Sequence, residues 1–240
     1  HKWLANRPMA SDDDATETKP TFIYLHTVEP HYPLTPTDER FFPEADQKKL
    51  RRLNHLLDRF RKLSRYREKR MKKDGGKKHA EQVAAIKKTL AKRQPDIVRF
   101  YDQAVRMADA NLGAVIQQLK DKGMWENTVF IVIADHGEEL LDHGYWLHDQ
   151  SLYDELVRVP LVMRIPGLTS AGRRIPAPVQ LIDLAPTLAD LVGASADANW
   201  QGRSVLPLAA GDALQDAPAF TERHNTRKFD SELKALRGDS

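Results

Sequence analysis

Apolar residues along the chain follow two kinds of pattern, one with the helical period and one continuous. The helical period occurs in residues 46–73, in a basic segment that ends near Arg93, and in residues 95–122. We therefore predict three helices. The first is interrupted at residues 74–76, and Gly123 closes the third.

Continuous apolar runs, typical of buried strands, occupy Pro20–Thr27, Thr128–Ala134 and Pro160–Ile165. The second run has no polar alternation, which is typical of a strand covered on both faces in a parallel sheet. Asp183–Gly193 combines an N-cap residue, an early proline and a terminal glycine, so we predict another helix there. Strands that alternate with helices indicate an α/β fold.

Composition excludes several classes of protein. The 240 residues include no Cys, so the chain has neither disulfides nor thiolate metal sites. Charged residues make up 30% of the chain, the mean hydropathy is −0.57, and no apolar run approaches the roughly 18 residues that span a bilayer. We therefore expect no transmembrane segment.

The formal net charge of +3 conceals a basic block. Residues 48–93 contain 19 Lys or Arg and 4 Asp or Glu. Such a block could attract nucleic acid, anionic lipid or a polyanionic substrate, or it could be the solvated face of a helical segment. We favour the solvated face, because apolar residues recur in it at helical spacing, at Leu50, Leu53, Leu57 and Phe60.

Candidate chemistry follows the predicted strands. Asp135 and His136 come directly after the second strand, where parallel α/β sheets bind ligands. His143 and His148 lie within the next dozen residues, and His31 is in the loop after the first strand. Asp135 could instead cap a helix, with His136 bound to the backbone. A zinc site made of His136, His143 and His148 is the weaker interpretation, since residues at spacings of seven and five do not share a helix face.

Three segments carry a resemblance to a known family. The residues from Asp135 to Pro166, beginning Asp-His-Gly-Glu-Glu, resemble the second half of sulfatases of the alkaline phosphatase superfamily. Phe22–Pro33 resembles the family's strand that ends in Pro-His-x-Pro. Val179–Leu188, followed by Gly-Arg-Ser at residues 202–204, resembles its Asp-x-x-Pro-Thr-Leu segment.

The resemblance implies an alkaline-phosphatase-like α/β fold, with a mostly parallel sheet flanked by helices. On this basis residues 1–208 form the second half of the catalytic domain, with a basic helical insertion at residues 46–94. Residues 209–240 would begin a C-terminal subdomain. The sheet would be incomplete on its N-terminal side, and the chain would stop before the small C-terminal sheet.

The resemblance also implies roles for single residues. Asp135 and His136 match the pair that holds one divalent cation, with Ca²⁺ expected first and Mn²⁺ or Zn²⁺ better tolerated because of the imidazole. Many sulfatases carry Asn at the second position, and His resembles the variant shared with phosphonate monoester hydrolases. His31 matches the residue that protonates the leaving oxygen. His148 stands where many relatives have a Lys that grips the substrate oxyanion, and His143 is either next to the site or structural.

The family's nucleophile lies in a Cys-or-Ser-x-Pro-x-Arg motif, where the Cys or Ser becomes formylglycine. These 240 residues contain no such motif. We therefore expect formylglycine in a preceding N-terminal half, and we expect the isolated chain to be inactive.

The implied function is metal-dependent cleavage of sulfate esters, on a sulfated small molecule or polysaccharide, in an extracytoplasmic compartment. One alternative is a phosphodiesterase, phosphonate ester hydrolase or phosphoethanolamine-type transferase of the same superfamily. Two-metal phosphodiesterases carry Asp four residues before the first-loop His, where this chain has Thr27, which favours one metal. The other alternative is a non-catalytic basic binding module, although we expect no nucleic-acid partner.

Overall fold

The computed structural model describes residues 20–34, 38–65, 76–148, 150–169, 172–195, 197–212, 218–224 and 232–238. These residues form two compact units. The first comprises the described residues of His1–Glu126 together with Glu138–Leu147. The second comprises those of Asn127–Gly137 and His148–Ser240.

The helices are α1 (Glu44–Arg65), α2 (Lys77–Ala91), α3 (Gln94–Asp121), α4 (Asp154–Val157), α5 (Leu184–Leu191) and α6 (Leu206–Ala210). Short 3₁₀ turns cover Trp125–Asn127 and Leu181–Asp183. The strands are β1 (Phe130–Ile133), β2 (Glu139–Leu140), β3 (Trp146–Leu147), β4 (Leu161–Arg164), β5 (Ala219–Arg223) and β6 (Leu233–Arg237).

The first unit is built on α1, α2 and α3, which share one apolar core. The helical spacing in the sequence places the apolar side chains of each helix on one face, and these faces meet. Its fully or almost fully buried members include Phe42, Leu50, Leu57, Leu90, Ile97 and Phe100. The helical part of the sequence prediction is therefore confirmed, with α1 ending at Arg65 and residues 66–75 lying outside the described residues.

Glycine ends α3 as the sequence predicts. Gly123 has φ of 65°, and the N–H groups of Gly123 and Met124 donate to the carbonyls of Lys120 and Leu119. These two hydrogen bonds form a Schellman motif, which satisfies the last carbonyls of the helix.

The strands confirm the α/β class but not the direction of pairing. In the described residues β1 pairs with β4, β2 with β3 and β5 with β6, and all three pairs are antiparallel. The predicted parallel sheet is therefore absent from this part of the chain. A continuous apolar run does not determine the direction of strand pairing. The expected burial on both faces is not found either, since all four residues of β1 are half-buried.

The strand predicted at Pro20–Thr27 does not form. Residues 20–28 have no regular secondary structure, and Phe22 and Tyr24 are each 76% exposed. A strand needs the backbone of a neighbour to satisfy its N–H and C=O groups, and the apolar character of a run cannot supply that neighbour.

None of the described helices is both long enough and apolar enough to span a bilayer.

Candidate functional site

The loop after β1 carries the first two candidate residues. Asp135 is exposed, and its carboxylate accepts a hydrogen bond from the backbone N–H of His136 at 3.0 Å. The next residue, Gly137, donates its N–H to the carbonyl of Leu156 in α4 at 2.8 Å. The loop is thereby tied to α4, and both side chains stand at the end of the strand.

Gly137 is needed for close packing and not for a turn conformation, since it is not among the residues with positive φ. A Cβ atom added at this position would lie 1.9 Å from the carbonyl oxygen of Glu155. Only glycine therefore allows the loop after β1 to approach the backbone of α4 this closely.

The orientation of His136 fixes its tautomer. Its Nδ1 lies 2.8 Å from the carbonyl oxygen of Gly137, and because a carbonyl only accepts, Nδ1 donates. In the neutral ring Nε2 then keeps its lone pair, and it lies 3.8 Å from Oδ1 of Asp135. Two atoms that bind one cation at about 2.0–2.5 Å lie within roughly 5 Å of each other, so this pair fits a shared ion.

His148 joins this pair within the second unit. The rings of His136 and His148 have centroids 4.2 Å apart, with their planes tilted by 39°. The residue before His148 is Leu147, which has φ of 74°, a left-handed conformation that costs a non-glycine residue about 1 kcal/mol or more. The structure thus brings together Asp135, His136 and His148.

His31 and His143 belong to the first unit. The backbone N–H of His31 donates to the carbonyl of Val28 at 2.8 Å, and its side chain is exposed. The adjacent Tyr32 is buried, and its hydroxyl donates to the carbonyl of Asn54 in α1 at 2.8 Å. Burial raises the pKa of the Tyr32 hydroxyl, which therefore stays protonated as a donor. This bond fixes the His31 loop on α1.

Glu139 is a residue that the sequence analysis did not single out. Its side chain is fully buried, and one carboxylate oxygen accepts the backbone N–H groups of His143 at 3.0 Å and Tyr145 at 3.2 Å. It organises the turn between β2 and β3, and the exposed His143 lies in that turn. The run Asp-His-Gly-Glu-Glu contained the residue, but nothing in the run distinguishes the buried Glu from the half-buried Glu138 before it.

The Asp-x-x-Pro-Thr-Leu segment performs a structural task. Asp183 was predicted to cap α5, but its buried carboxylate instead accepts the N–H groups of Gln180 at 2.8 Å and Arg203 at 2.9 Å. The buried Thr187 hydroxyl donates to the carbonyl of Asp183 and accepts the N–H of Val205. A Cβ atom at Gly202 would lie 2.1 Å from the carbonyl oxygen of Ile182, so this segment holds the Gly-Arg-Ser loop by direct backbone contact.

Comparison with known proteins places these features in one family. A family model described as Sulfatase matches residues 5–194. The chain belongs to the sulfatase family. It is 33% identical over 129 residues to arylsulfatase K of Rattus norvegicus, a match that covers 54% of this chain and 22% of that protein. It is 32% identical over 111 residues to the N-acetylglucosamine-6-O-sulfatase of Bacteroides thetaiotaomicron, a match that covers 46% of this chain and 20% of that protein.

A solved structure of related sequence is the phosphonate monoester hydrolase of Agrobacterium radiobacter. It is 29% identical and has a TM-score of 0.53, and the match covers 58% of this chain and 31% of that one. The solved neighbours of this sulfatase chain have the alkaline-phosphatase-like fold, in agreement with its α/β class. The chain spans only about a fifth of the length of the two curated relatives.

Proposed function

We propose that this chain carries part of the active site of a sulfuric ester hydrolase that depends on one divalent cation. The observation that carries the proposal is the facing of the Asp135 carboxylate and His136 Nε2, 3.8 Å apart at the end of β1. It occurs in a chain that belongs to the sulfatase family. A carboxylate oxygen beside an unprotonated imidazole nitrogen accepts Ca²⁺, Mn²⁺ or Zn²⁺.

The remaining roles follow from the charge that develops when a sulfate ester is cleaved. Negative charge grows on the leaving oxygen and on the non-bridging oxygens. A cation held by Asp135 and His136 would supply Lewis-acid stabilisation of that charge. His148 would donate to the substrate oxyanion as an imidazolium, and His31 would give a proton to the leaving oxygen. His143 lies near the buried Glu139 carboxylate, and we assign it a structural role.

We propose that the nucleophile is a formylglycine outside these 240 residues, which include neither Cys nor a Ser-x-Pro-x-Arg motif. We accordingly expect no turnover by the isolated chain. The division into a catalytic half at residues 1–208 and a subdomain that begins at residue 209 stays a prediction, as does an extracytoplasmic location.

Substrate class can be proposed from the relatives' names. One is an arylsulfatase and another acts on N-acetylglucosamine 6-O-sulfate, so we propose a sulfated sugar or aryl sulfate as the substrate. A phosphonate monoester is the second candidate. It is favoured by the solved hydrolase of that class and by the presence of His at position 136.

The metal pair can be tested on the chain itself by isothermal titration calorimetry with Ca²⁺, Mn²⁺ and Zn²⁺. We expect Asp135→Asn and His136→Gln each to lower the affinity for the preferred ion at least tenfold, because each removes one ligand. Asp109→Asn, an exposed change on α3, is the matched control and should leave the affinity unchanged. Equal affinity in the wild type and both site variants would contradict the assignment.

A further inference from the structure

A groove lies between α1 and α2 in the first unit, outside the candidate site. Its volume is about 270 Å³. Five of its six lining residues come from α1 and one from α2. Most have polar or charged ends, but the surface that they present to the groove is mainly apolar: His55, Asp58, Arg59, Lys62, Leu63 and Gln82.

The groove carries a positive charge. Its single acid, Asp58, is paired with Lys62 and Arg61, each at 2.6 Å. These hydrogen bonds, from Lys62 first and Arg61 second, hold the pKa of Asp58 below its ordinary value. The carboxylate therefore stays ionised, and its negative charge is balanced by the two cations. Arg59 is exposed and makes no ion pair with any residue in the described part of the chain.

The arrangement of these side chains matches an anionic ligand with an apolar ring face. His55, Arg59 and Lys62 are spaced i, i+4 and i+7, which places them on one face of α1. Leu63 and the aliphatic stems of Arg59 and Lys62 offer apolar contact, and the amide of Gln82 can exchange hydrogen bonds with hydroxyl groups. A sulfated sugar presents all three partners, namely a sulfate, a C–H face and hydroxyls.

The lining argues against single-stranded nucleic acid. Such ligands are held by bases that stack on aromatic side chains, in addition to charge. None of the six lining residues has a phenyl, phenol or indole ring, and His55 is the only ring that could stack.

The groove and the His31 loop are fixed to the same stretch of α1. The backbone carbonyl of Asn54 accepts a hydrogen bond from the Tyr32 hydroxyl, and the side-chain amide of Asn54 donates to the carbonyl of Leu34 at 3.0 Å. The next residue, His55, lines the groove. A ligand in the groove is therefore held by the helix that also positions the loop of the proposed acid.

We propose that this α1–α2 groove is a subsite for a second sulfate group on an extended sulfated oligosaccharide. Arg59 and Lys62 bind the sulfate, Leu63 contacts the sugar ring and Gln82 contacts a hydroxyl. The choice of a sulfated sugar rests on the proposed function, whereas the groove and its charge do not.

The test measures binding without turnover, so its result is separate from that of the proposed hydrolysis. A heparin-derived octasaccharide is titrated into the full 240-residue chain by calorimetry at several salt concentrations. We expect Arg59→Gln/Lys62→Gln to weaken binding at least tenfold and to reduce the log–log salt slope by about one unit per lost contact. Gln82→Glu, which changes only the α2 wall, should weaken binding as well.

The matched control is Lys92→Gln/Arg106→Gln, which removes two exposed cations outside the groove. It should leave affinity within twofold of wild type, and thermal unfolding should show that all variants are folded. An equal loss in both double variants would mean attraction by net charge alone and would overturn the subsite. So would the absence of octasaccharide binding by the wild type at low salt, or tighter binding of a DNA oligonucleotide of equal charge.

Discussion

At the scale of single residues, Thr187 has an unusually well-defined task. Its side chain is fully buried, and its hydroxyl both donates to the carbonyl of Asp183 at 2.6 Å and accepts the N–H of Val205 at 3.0 Å. Asp183 completes the arrangement by accepting two further N–H groups. Two short polar side chains thus satisfy the backbone where the Gly-Arg-Ser loop passes α5.

We expect Thr187→Val to lower the free energy of unfolding by about 1–3 kcal/mol, because it leaves the buried Val205 N–H without a partner while conserving volume. Urea unfolding followed by circular dichroism measures the change. Thr89→Val is the matched control, since that exposed hydroxyl only donates to the carbonyl of Ala85 in its own helix, and its effect should stay within about 0.5 kcal/mol. Similar losses in the two variants would show that the buried bonds add nothing specific.

At the scale of secondary structure elements, the position of the Asp135–His136 pair depends on the close approach between the loop after β1 and α4. Gly137 makes that approach possible, since its N–H bonds to the carbonyl of Leu156 and its missing Cβ leaves room for Glu155. Local contact with a short helix, and not a glycine conformation, therefore sets the geometry of the candidate metal ligands.

Gly137→Ala should accordingly lower both stability, by about 1–3 kcal/mol, and divalent-cation affinity, because the loop must move away from α4. Gly113→Ala is the opposite case. Gly113 lies within α3 with nothing within 4 Å of an added Cβ, so the change should stabilise by about 0.5–1 kcal/mol. Denaturant unfolding and cation titration of the Gly137→Ala and Gly113→Ala variants test these two expectations. A Gly137→Ala protein with wild-type cation affinity would contradict this role of the loop.

An ion pair ties α1 to α3 in the first unit. Both terminal nitrogens of Arg99 donate to the Asp46 carboxylate, at 2.7 and 3.1 Å, and the Gln103 amide adds a third bond at 3.2 Å. These bonds, those from Arg99 first, hold the pKa of Asp46 below its ordinary value. The stabilisation is therefore complete above the unfolded pKa, near 4, and is lost as the pH falls through the lower folded value.

Asp46→Asn should lower stability by about 1–2 kcal/mol at pH 7. The difference from wild type should shrink as the pH falls from about 4 through the lower folded pKa, because the wild-type carboxyl is protonated only once that value is passed. Chemical denaturation at a series of pH values measures it, with Asp109→Asn as a control that changes little. A difference that stays constant down to pH 2 would show that the loss comes from packing and not from the charge.

The extent to which these elements follow from the sequence depends on the range of the interactions that form them. Helices α1, α2 and α3 were predictable because apolar residues at helical spacing report a local property, the face that each helix buries. β1 and β4 were located correctly, but their antiparallel pairing was not, since direction depends on a partner remote in sequence. Residues 20–28 show the same limit, because their apolar run has no described strand beside it.

The candidate site shows a similar division. Asp135 and His136 could be singled out because they directly follow an apolar strand, and His148 could be named from the family resemblance. The approach of the His148 ring to His136 arises from the fold and has no local signature. Glu139 likewise has no local signature in the sequence, because its burial depends on the turn between β2 and β3 that it organises.

At the scale of the whole molecule, family membership rests on a match over residues 5–194. The candidate groups are divided between the two compact units, with His31 in the first and Asp135, His136 and His148 in the second. We propose that these groups together serve the cleavage of sulfate esters.

The most direct test is the turnover of an aryl sulfate and of an aryl phosphonate monoester by the protein expressed from the complete reading frame that contains these residues. We predict a higher kcat/KM for the sulfate ester, and a loss of about a hundredfold or more in Asp135→Asn with Asp109→Asn unaffected. A higher kcat/KM for the phosphonate would favour the second candidate. No turnover of either ester with divalent cation present, or full activity in Asp135→Asn, would contradict the account.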